Sequence, residues 1–150
     1  MKRFQFPLDR VRRWRSEQAS VEELKLGQLR DRLAALGEAK QRVELARTKS
    51  EQEVLGQPFI EAYEAQSLED YRLHTRFQIR DIEDQQWRCE QQVVAQRQRV
   101  IEARQKAELL EKLKQRALDE WVAANNREEE ALATELFLAK RQRQPSRRAS

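Results

Sequence analysis

The sequence predicts an all-α protein: a long antiparallel two-helix coiled-coil hairpin with a C-terminal helical overhang. Charged residues make up 37% of the chain against 39% apolar residues, which is too polar for a core of ordinary size. The chain has three Gly and three Pro, too few for the turns of a sheet protein. Lys and Arg (30) and Asp and Glu (26) are interleaved, which suits the exposed surface of long helices.

The first helix is predicted over residues 8–55. Pro7 favours a helix start because its φ is fixed near the helical value and its missing N–H would be unpaired there. Residues with three-four spacing then follow the heptad pattern of a coiled coil. One heptad slot holds Leu26, Leu33, Lys40, Arg47 and Val54, and the other holds Leu29, Leu36 and Val43. Upstream, the apolar stripe is expected to drift around the helix axis through Val11, Trp14, Val21 and Leu24.

Gly56 followed by Pro58 is the order of a helix stop, so a turn is predicted over residues 56–66. Ser67 is expected to cap the second helix, with Asp70 completing an acidic version of the capping box. The second helix should run from 67 to 142, and the basic residues 143–150 should be a disordered tail. The whole chain, 1–150, is then a single coiled-coil domain.

The second helix also has two heptad slots. The first holds Leu68, Thr75, Ile82, Cys89, Gln96, Ala103, Leu110, Ala117, Ala124, Ala131 and Leu138, and the second holds Arg72, Ile79, Gln86, Val93, Val100, Ala107, Lys114 and Trp121. These slots are apolar enough for burial from about Ile79 to Trp121, and beyond them alanines and glutamates dominate. Because the second helix is the longer one, its part after about residue 116 should extend past the first helix as the overhang.

Catalysis has little support in the sequence, so a non-enzymatic protein without cofactor or metal is expected. The lone His74 has no evident nucleophile or carboxylate partner, and Cys89 falls in a core slot, where cysteine serves as a small hydrophobe. Neither a glycine-rich phosphate loop nor a metal-ligand spacing is present. A single cysteine suits a reducing compartment, and no apolar run resembles a signal or a membrane span. We therefore expect a cytoplasmic protein.

Positive charge is concentrated at both ends of the chain. The basic residues are Lys2, Arg3, Arg10, Arg12, Arg13 and Arg15 at one end, and Lys140, Arg141, Arg143, Arg147 and Arg148 at the other. An antiparallel hairpin places both termini at the same end, and a basic end favours an anionic partner. An acidic protein surface, nucleic acid and an anionic membrane are the candidates, and simple solvation of the tails is the alternative.

Large apolar or amphipathic groups also cluster around the predicted turn. They are Phe59, Ile60, Tyr63, Leu68, Tyr71, His74 and Phe77, more than one partner helix can cover. Such a cluster is typical of a docking face. The alternative is that the connector folds back and buries Phe59, Ile60 and Tyr63 against the hairpin.

Three segments resemble the FliJ-type flagellar export protein, which is related to the stalk proteins of type III secretion. They are MKRFQFPLDRVRRWR at the start, YRLHTRFQIRDI over residues 71–82, and LEKLKQRALDEWVAANNREEEALATELFLAKR over residues 110–141. The similarity spans nearly the whole chain. It implies an antiparallel two-helix coiled coil like the rotor stalk of rotary ATPases, acting as a soluble component of the export apparatus at the inner membrane.

The resemblance further implies that the terminal end enters the central pore of a hexameric export ATPase. The residues facing the ring would be Arg10, Arg12, Arg13, Arg15, Lys140, Arg141 and Arg143. A second contact, with the cytoplasmic linker of the export gate, would use Tyr71, His74, Phe77 and Gln78. Family members often carry tyrosines on the first helix before the turn, whereas this chain has Val43, Leu45 and Thr48 there.

Export chaperones are a further implied partner, the chain is expected to be a monomer, and no nucleic acid partner is expected on this interpretation. The competing hypothesis is a homodimeric coiled-coil adaptor whose basic ends bind nucleic acid or an anionic membrane. An export chaperone is a third hypothesis, which differs from the stalk only in the partner bound.

Overall fold

The computed structural model describes residues 2–144, which form two helices, α1 (Asp9–Leu55) and α2 (Ala62–Arg143). The helices pack against each other as an antiparallel hairpin, and no strand occurs among these residues, so the all-α fold is confirmed. The chain divides into two compact units. The terminal unit contains residues 2–17 and 104–144 of the described part, and the turn unit contains residues 18–103. The single domain stays a prediction.

The end of α1 agrees with the sequence, because Gly56 directly follows the last helical residue, Leu55. The Gly56 N–H donates to the Gln52 carbonyl over 3.0 Å and so extends the helical bonding by one residue. A Cβ at Gly56 would lie 2.8 Å from that same oxygen, so this close approach needs glycine.

The start of α2 differs from the prediction. The helix begins at Ala62 rather than at residue 67, so the predicted turn over 56–66 is too long and Ser67 is a helical residue instead of a cap. The Glu61 carbonyl accepts from the N–H groups of Glu64 and Ala65, each over 3.1 Å. Residues 61–66 contain no Gly, Pro or β-branched side chain, so the helix extends back towards Pro58.

Cross-helix contacts fix the antiparallel register in the turn unit. Arg72 pairs with Glu51 over 3.0 Å, Lys40 pairs with Glu83 over 3.1 Å, and the thiol of Cys89 donates to the Leu29 carbonyl over 3.4 Å. The partner numbers fall along α1 as they rise along α2, as an antiparallel pair requires. Leu26, Val93 and Val100 form a buried cluster between the two helices, and Leu29 packs against it.

Both heptad predictions are confirmed over long stretches. The α1 slot members from Leu26 to Val54 are buried or half-buried, and so are the α2 slot members from Leu68 to Trp121. Beyond Trp121 the slot members Ala124, Ala131 and Leu138 are exposed. The same heptad pattern therefore marks the point on α2 at which packing between the two helices ends.

The prediction that the apolar stripe drifts around the helix axis at the start of α1 is wrong. Val11, Trp14, Val21 and Leu24 are exposed. The positions that continue the heptad of Leu26 upstream are buried or half-buried instead, and they are Arg12, Arg15, Ala19 and Glu22; Asp9 and Gln18 are half-buried beside them. Long charged side chains can pack their methylene stems at a core edge while their charged ends form ion pairs.

The terminal unit has its own packing. Arg12 pairs with Glu111 over 2.8 Å, and the Trp121 indole N–H donates to the Lys2 carbonyl over 3.3 Å. The ring of Phe4 lies 6.1 Å from that of Trp121, centroid to centroid. Every residue from 126 to 144 is exposed. We call residues 122–143 the overhang. Its presence agrees with the predicted fold, but it begins after Trp121 rather than after about residue 116, because Trp121 still packs against Lys2 and Phe4.

Candidate partner-binding site

Asp9 organises the basic residues at the start of α1. Its carboxylate accepts hydrogen bonds from Arg12 over 2.8 Å and from Lys114 over 3.5 Å, and it forms an ion pair with Arg13 over 3.0 Å. Because Arg12 also binds Glu111, its guanidinium joins α1 to α2. The structure thus gives Arg12, one of the residues implied to face a partner, a role in the packing of the terminal unit.

This arrangement shifts two pKa values. The hydrogen bond from Arg12 lowers the pKa of Asp9 below its ordinary value, and the charges of Lys114 and Arg13 act in the same direction against the opposing effect of desolvation. The hydrogen bonds to Glu111 and Asp9 raise the pKa of Arg12. Both shifts favour the charged forms in the folded chain.

We expect Asp9→Asn to lower the thermal unfolding midpoint at neutral pH by a few degrees, and the difference from wild type to vanish on acidification. Because the folded pKa of Asp9 lies below its ordinary value of 3.8, its contribution is complete above that value and is lost as the pH falls through the folded pKa. Circular dichroism melts across the acidic range measure this. Glu17→Gln, at an exposed position of the same unit, is the control. Parallel pH curves for wild type and Asp9→Asn would contradict the assignment.

The other N-terminal arginines are more accessible. Arg10 is exposed, and the side chain of Arg13 is 71% exposed despite its bond to Asp9. Arg15 is half-buried, and its guanidinium lies 4.7 Å from the centroid of the Trp14 ring in a cation–π contact. Arg10 and Arg13 are therefore the two that can reach an anionic partner most directly.

The C-terminal basic residues do not meet the N-terminal ones. Lys140, Arg141 and Arg143 are exposed on the last turns of α2, so Arg143 is helical rather than part of the predicted disordered tail over 143–150. Residues 145–150 of that tail, with Arg147 and Arg148, lie outside the described residues. Glu111, which pairs with Arg12, marks the position on α2 opposite that arginine. Lys140 follows Glu111 by 29 residues, and a rise of about 1.5 Å per residue makes this roughly 44 Å along the helix axis. The overhang thus separates two basic groups that the hairpin was expected to bring together.

The residues implied to bind the export gate lie on neighbouring positions of α2 in the turn unit. Tyr71, His74 and Gln78 follow a three-four spacing, which places them on one face of the helix, and Phe77 lies beside them. Tyr71 is half-buried and the other three are exposed. The face is therefore accessible to a partner.

Nearby, Arg72 donates to Glu69 over 2.7 Å and to Glu51 of α1 over 3.0 Å, and these bonds raise the pKa of Arg72. This ion pair fixes the start of α2 against α1. At the turn, Phe59 is 79% and Tyr63 is 65% exposed, whereas Ile60 is half-buried. The connector therefore does not bury the two aromatic residues against the hairpin.

Polar contacts within the seam could not be foreseen from the heptad pattern. The buried Gln96 amide donates to the backbone carbonyl of Glu22 over 3.0 Å and also to the Glu22 carboxylate. This second bond lowers the pKa of Glu22. Thr75 is fully buried, and its hydroxyl donates to the Tyr71 carbonyl over 2.8 Å. Only the slot positions of Gln96 and Thr75 signalled their burial. The partner of Gln96 left no signal in the sequence, whereas the Tyr71 carbonyl, four residues before Thr75, is the usual acceptor for the hydroxyl of a helical threonine.

Residues 2–144 contain no group of three or more His, Cys, Asp and Glu side chains that could hold a metal ion. Within the same residues, no helix has the length and the apolar composition needed to cross a membrane.

Comparison with known proteins adds no relative to this picture. The chain matches no protein-family model, no curated protein and no solved structure. The resemblance to the FliJ-type family therefore stays an expectation from the three sequence segments alone.

Proposed function

We propose that the chain is a non-enzymatic stalk component of a flagellar or type III protein export apparatus. In this role it inserts the end that carries the overhang into a hexameric export ATPase, links the ATPase to the export gate, and promotes ATPase assembly and protein export. It would act in the cytoplasm, held at the inner membrane through its partners.

The overhang is the observation that carries this proposal. Past Trp121 a single exposed helix continues for more than twenty residues and ends in Lys140, Arg141 and Arg143. A single helix with its side chains is about 10–12 Å across. The overhang is therefore narrow enough to enter the central pore of a ring. Its basic end supplies long-range attraction towards an acidic pore.

The shape of the contact also suggests how a chain without an active site could influence an ATPase. One helix inside a sixfold ring cannot make the same contacts with all six subunits. The subunits are then no longer equivalent, and the order of their nucleotide turnover or their assembly can be biased. The accessible face with His74, Phe77 and Gln78 would serve as the second attachment, to the export gate.

Charge removal at the two basic groups tests the proposal. We expect Lys140→Gln with Arg141→Gln and Arg143→Gln to weaken binding to the purified ATPase about tenfold at low salt, as three lost surface ion pairs would, and less at high salt. Arg10→Gln with Arg13→Gln should weaken it in the same salt-dependent manner. Equilibrium binding by fluorescence anisotropy at several salt concentrations measures both effects.

The matched control removes three exposed arginines of α2 elsewhere: Arg88→Gln, Arg97→Gln and Arg116→Gln. It changes the net charge equally and should bind like wild type. Unchanged affinity of the overhang variant at every salt concentration would refute the proposal. Binding of DNA or anionic vesicles in place of the ATPase, lost in the same variants, would instead favour the adaptor hypothesis.

A further inference from the structure

The overhang carries apolar side chains that nothing in the described chain covers. Leu132, Leu136 and Phe137 are each about 60% exposed, and Ala133 lies between them. The overhang continues α2 and needs no new nucleation, but most helical stability in proteins comes from packing an apolar face, and the overhang has no such packing. The overhang therefore gains from a partner that covers these residues.

One face of the overhang carries a stripe of residues whose chemical character changes along the helix. Glu129, Ala133, Leu136 and Lys140 follow the four-three-four spacing of a coiled-coil face, with Leu132 and Phe137 on its two sides. The stripe is acidic at its N-terminal end, apolar in the middle and basic at its C-terminal end. Glu128 and Arg141 extend the acidic and basic ends by one residue each.

This order makes the stripe complementary to itself when one copy is reversed. If the two-fold axis passes between residues 134 and 135, Glu129 of one copy lies level with Lys140 of the other, and Ala133 lies level with Leu136. Leu132 then packs beside Leu136 of the other copy. A parallel arrangement has no such advantage, because each charge would lie level with its own like charge.

We propose that the overhang is a self-association surface, whose occupant is the overhang of a second copy of this chain in antiparallel orientation. The contact is isologous and closes at two copies. About three helical turns from each copy form it, so it falls in the small, weak class of interfaces and should populate at high protein concentration. This inference does not depend on the proposed export role.

Charge exchange between two copies provides the test. Sedimentation velocity of the full chain, from micromolar to millimolar concentration, should show a reversible monomer–dimer equilibrium. One variant carries Glu128→Lys with Glu129→Lys, and the other carries Lys140→Glu with Arg141→Glu. Each alone places like charges together, so its dimerisation should weaken tenfold or more. Their equimolar mixture should dimerise at least as well as wild type.

The control Glu90→Lys with Glu108→Lys makes an equal charge change at exposed sites of α2 outside the overhang, and it should dimerise like wild type. A nitroxide at residue 126 should measure an axial separation of about 25 Å in the dimer, since residues 126 and 143 are level and the rise is about 1.5 Å per residue. A wild-type chain that stays monomeric throughout, or a mixture that does not dimerise, would overturn the inference. Its failure would leave ATPase binding, measured on dilute chain, unaffected.

Discussion

Val100→Asp is expected to lower the free energy of unfolding by about 3–5 kcal/mol, the cost of an unpaired charge buried in a protein interior. Val100 is 3% exposed and packs in the cluster with Leu26 and Val93, where the seam is most apolar. The new carboxylate would have no cation in that cluster, so the helices must separate locally or the carboxyl must take up a proton. Urea unfolding followed by far-UV circular dichroism measures the loss.

The adjacent residue supplies a matched control. Ile101 is 47% exposed on the next position of the same helix, and Ile101→Asp should change the stability by no more than about 0.5 kcal/mol. The two variants differ from wild type by similar chemistry and by the same charge. Equal losses for both would mean that the heptad register of α2 is not the one described.

The seam was predictable because burial in a two-helix coiled coil repeats every seven residues. Once a few apolar residues such as Leu26, Leu33 and Val93 fix the register, the polar members of the same slots follow by arithmetic. Thr75 and Gln96 are the clearest cases, since both are buried despite being polar. The pattern also predicted that the packed region ends near Trp121, because alanine and glutamate replace larger apolar residues in the heptad slots beyond it.

The start of each helix was harder to predict, for two different physical reasons. At the start of α1, charged residues occupy the core slots, and the apolar Val11 and Trp14 are exposed, so composition points to the wrong face. Arg12 is held there by carboxylates that are 3 and 99 residues away in sequence. At the start of α2, a favourable cap at Ser67 competes with six upstream residues that also favour helix, and propagation of the helix prevails.

The candidate site was only partly predictable. The sequence shows which residues are basic, but the distance between the basic group of α1 and that of α2 depends on how far α2 continues beyond the residues that pair with Arg12. An ion pair such as that between Arg12 and Glu111 joins residues whose proximity follows from the register and the turn length together. A surface of mixed charge along a heptad seam suits many partners, so the partner is tested best by binding experiments on the exposed residues.

Leu26→Ala and Val93→Ala should each destabilise the chain, by about 2–4 and 1–3 kcal/mol, and the double variant should lose about 1 kcal/mol less than the sum. Leu26 lies on α1 and Val93 on α2, and both belong to the same buried cluster. The second truncation removes contacts that the first has already weakened, which is why the losses overlap. The coupling therefore reports contact between the two helices, which neither single variant can do.

Leu24 and Val94 form the control cycle, because they are 63% and 61% exposed and lie within two residues of the tested pair. Truncating either to alanine should cost no more than about 0.5 kcal/mol, and their coupling should be absent within error. Additive losses for Leu26 and Val93 would be incompatible with the cluster that joins α1 to α2. Coupling between Leu24 and Val94 would mean that the helices meet through different faces. Leu24 lies about 200° around α1 from Leu26 and Val94 about 100° around α2 from Val93, so a rotation that brings these two together exposes Leu26.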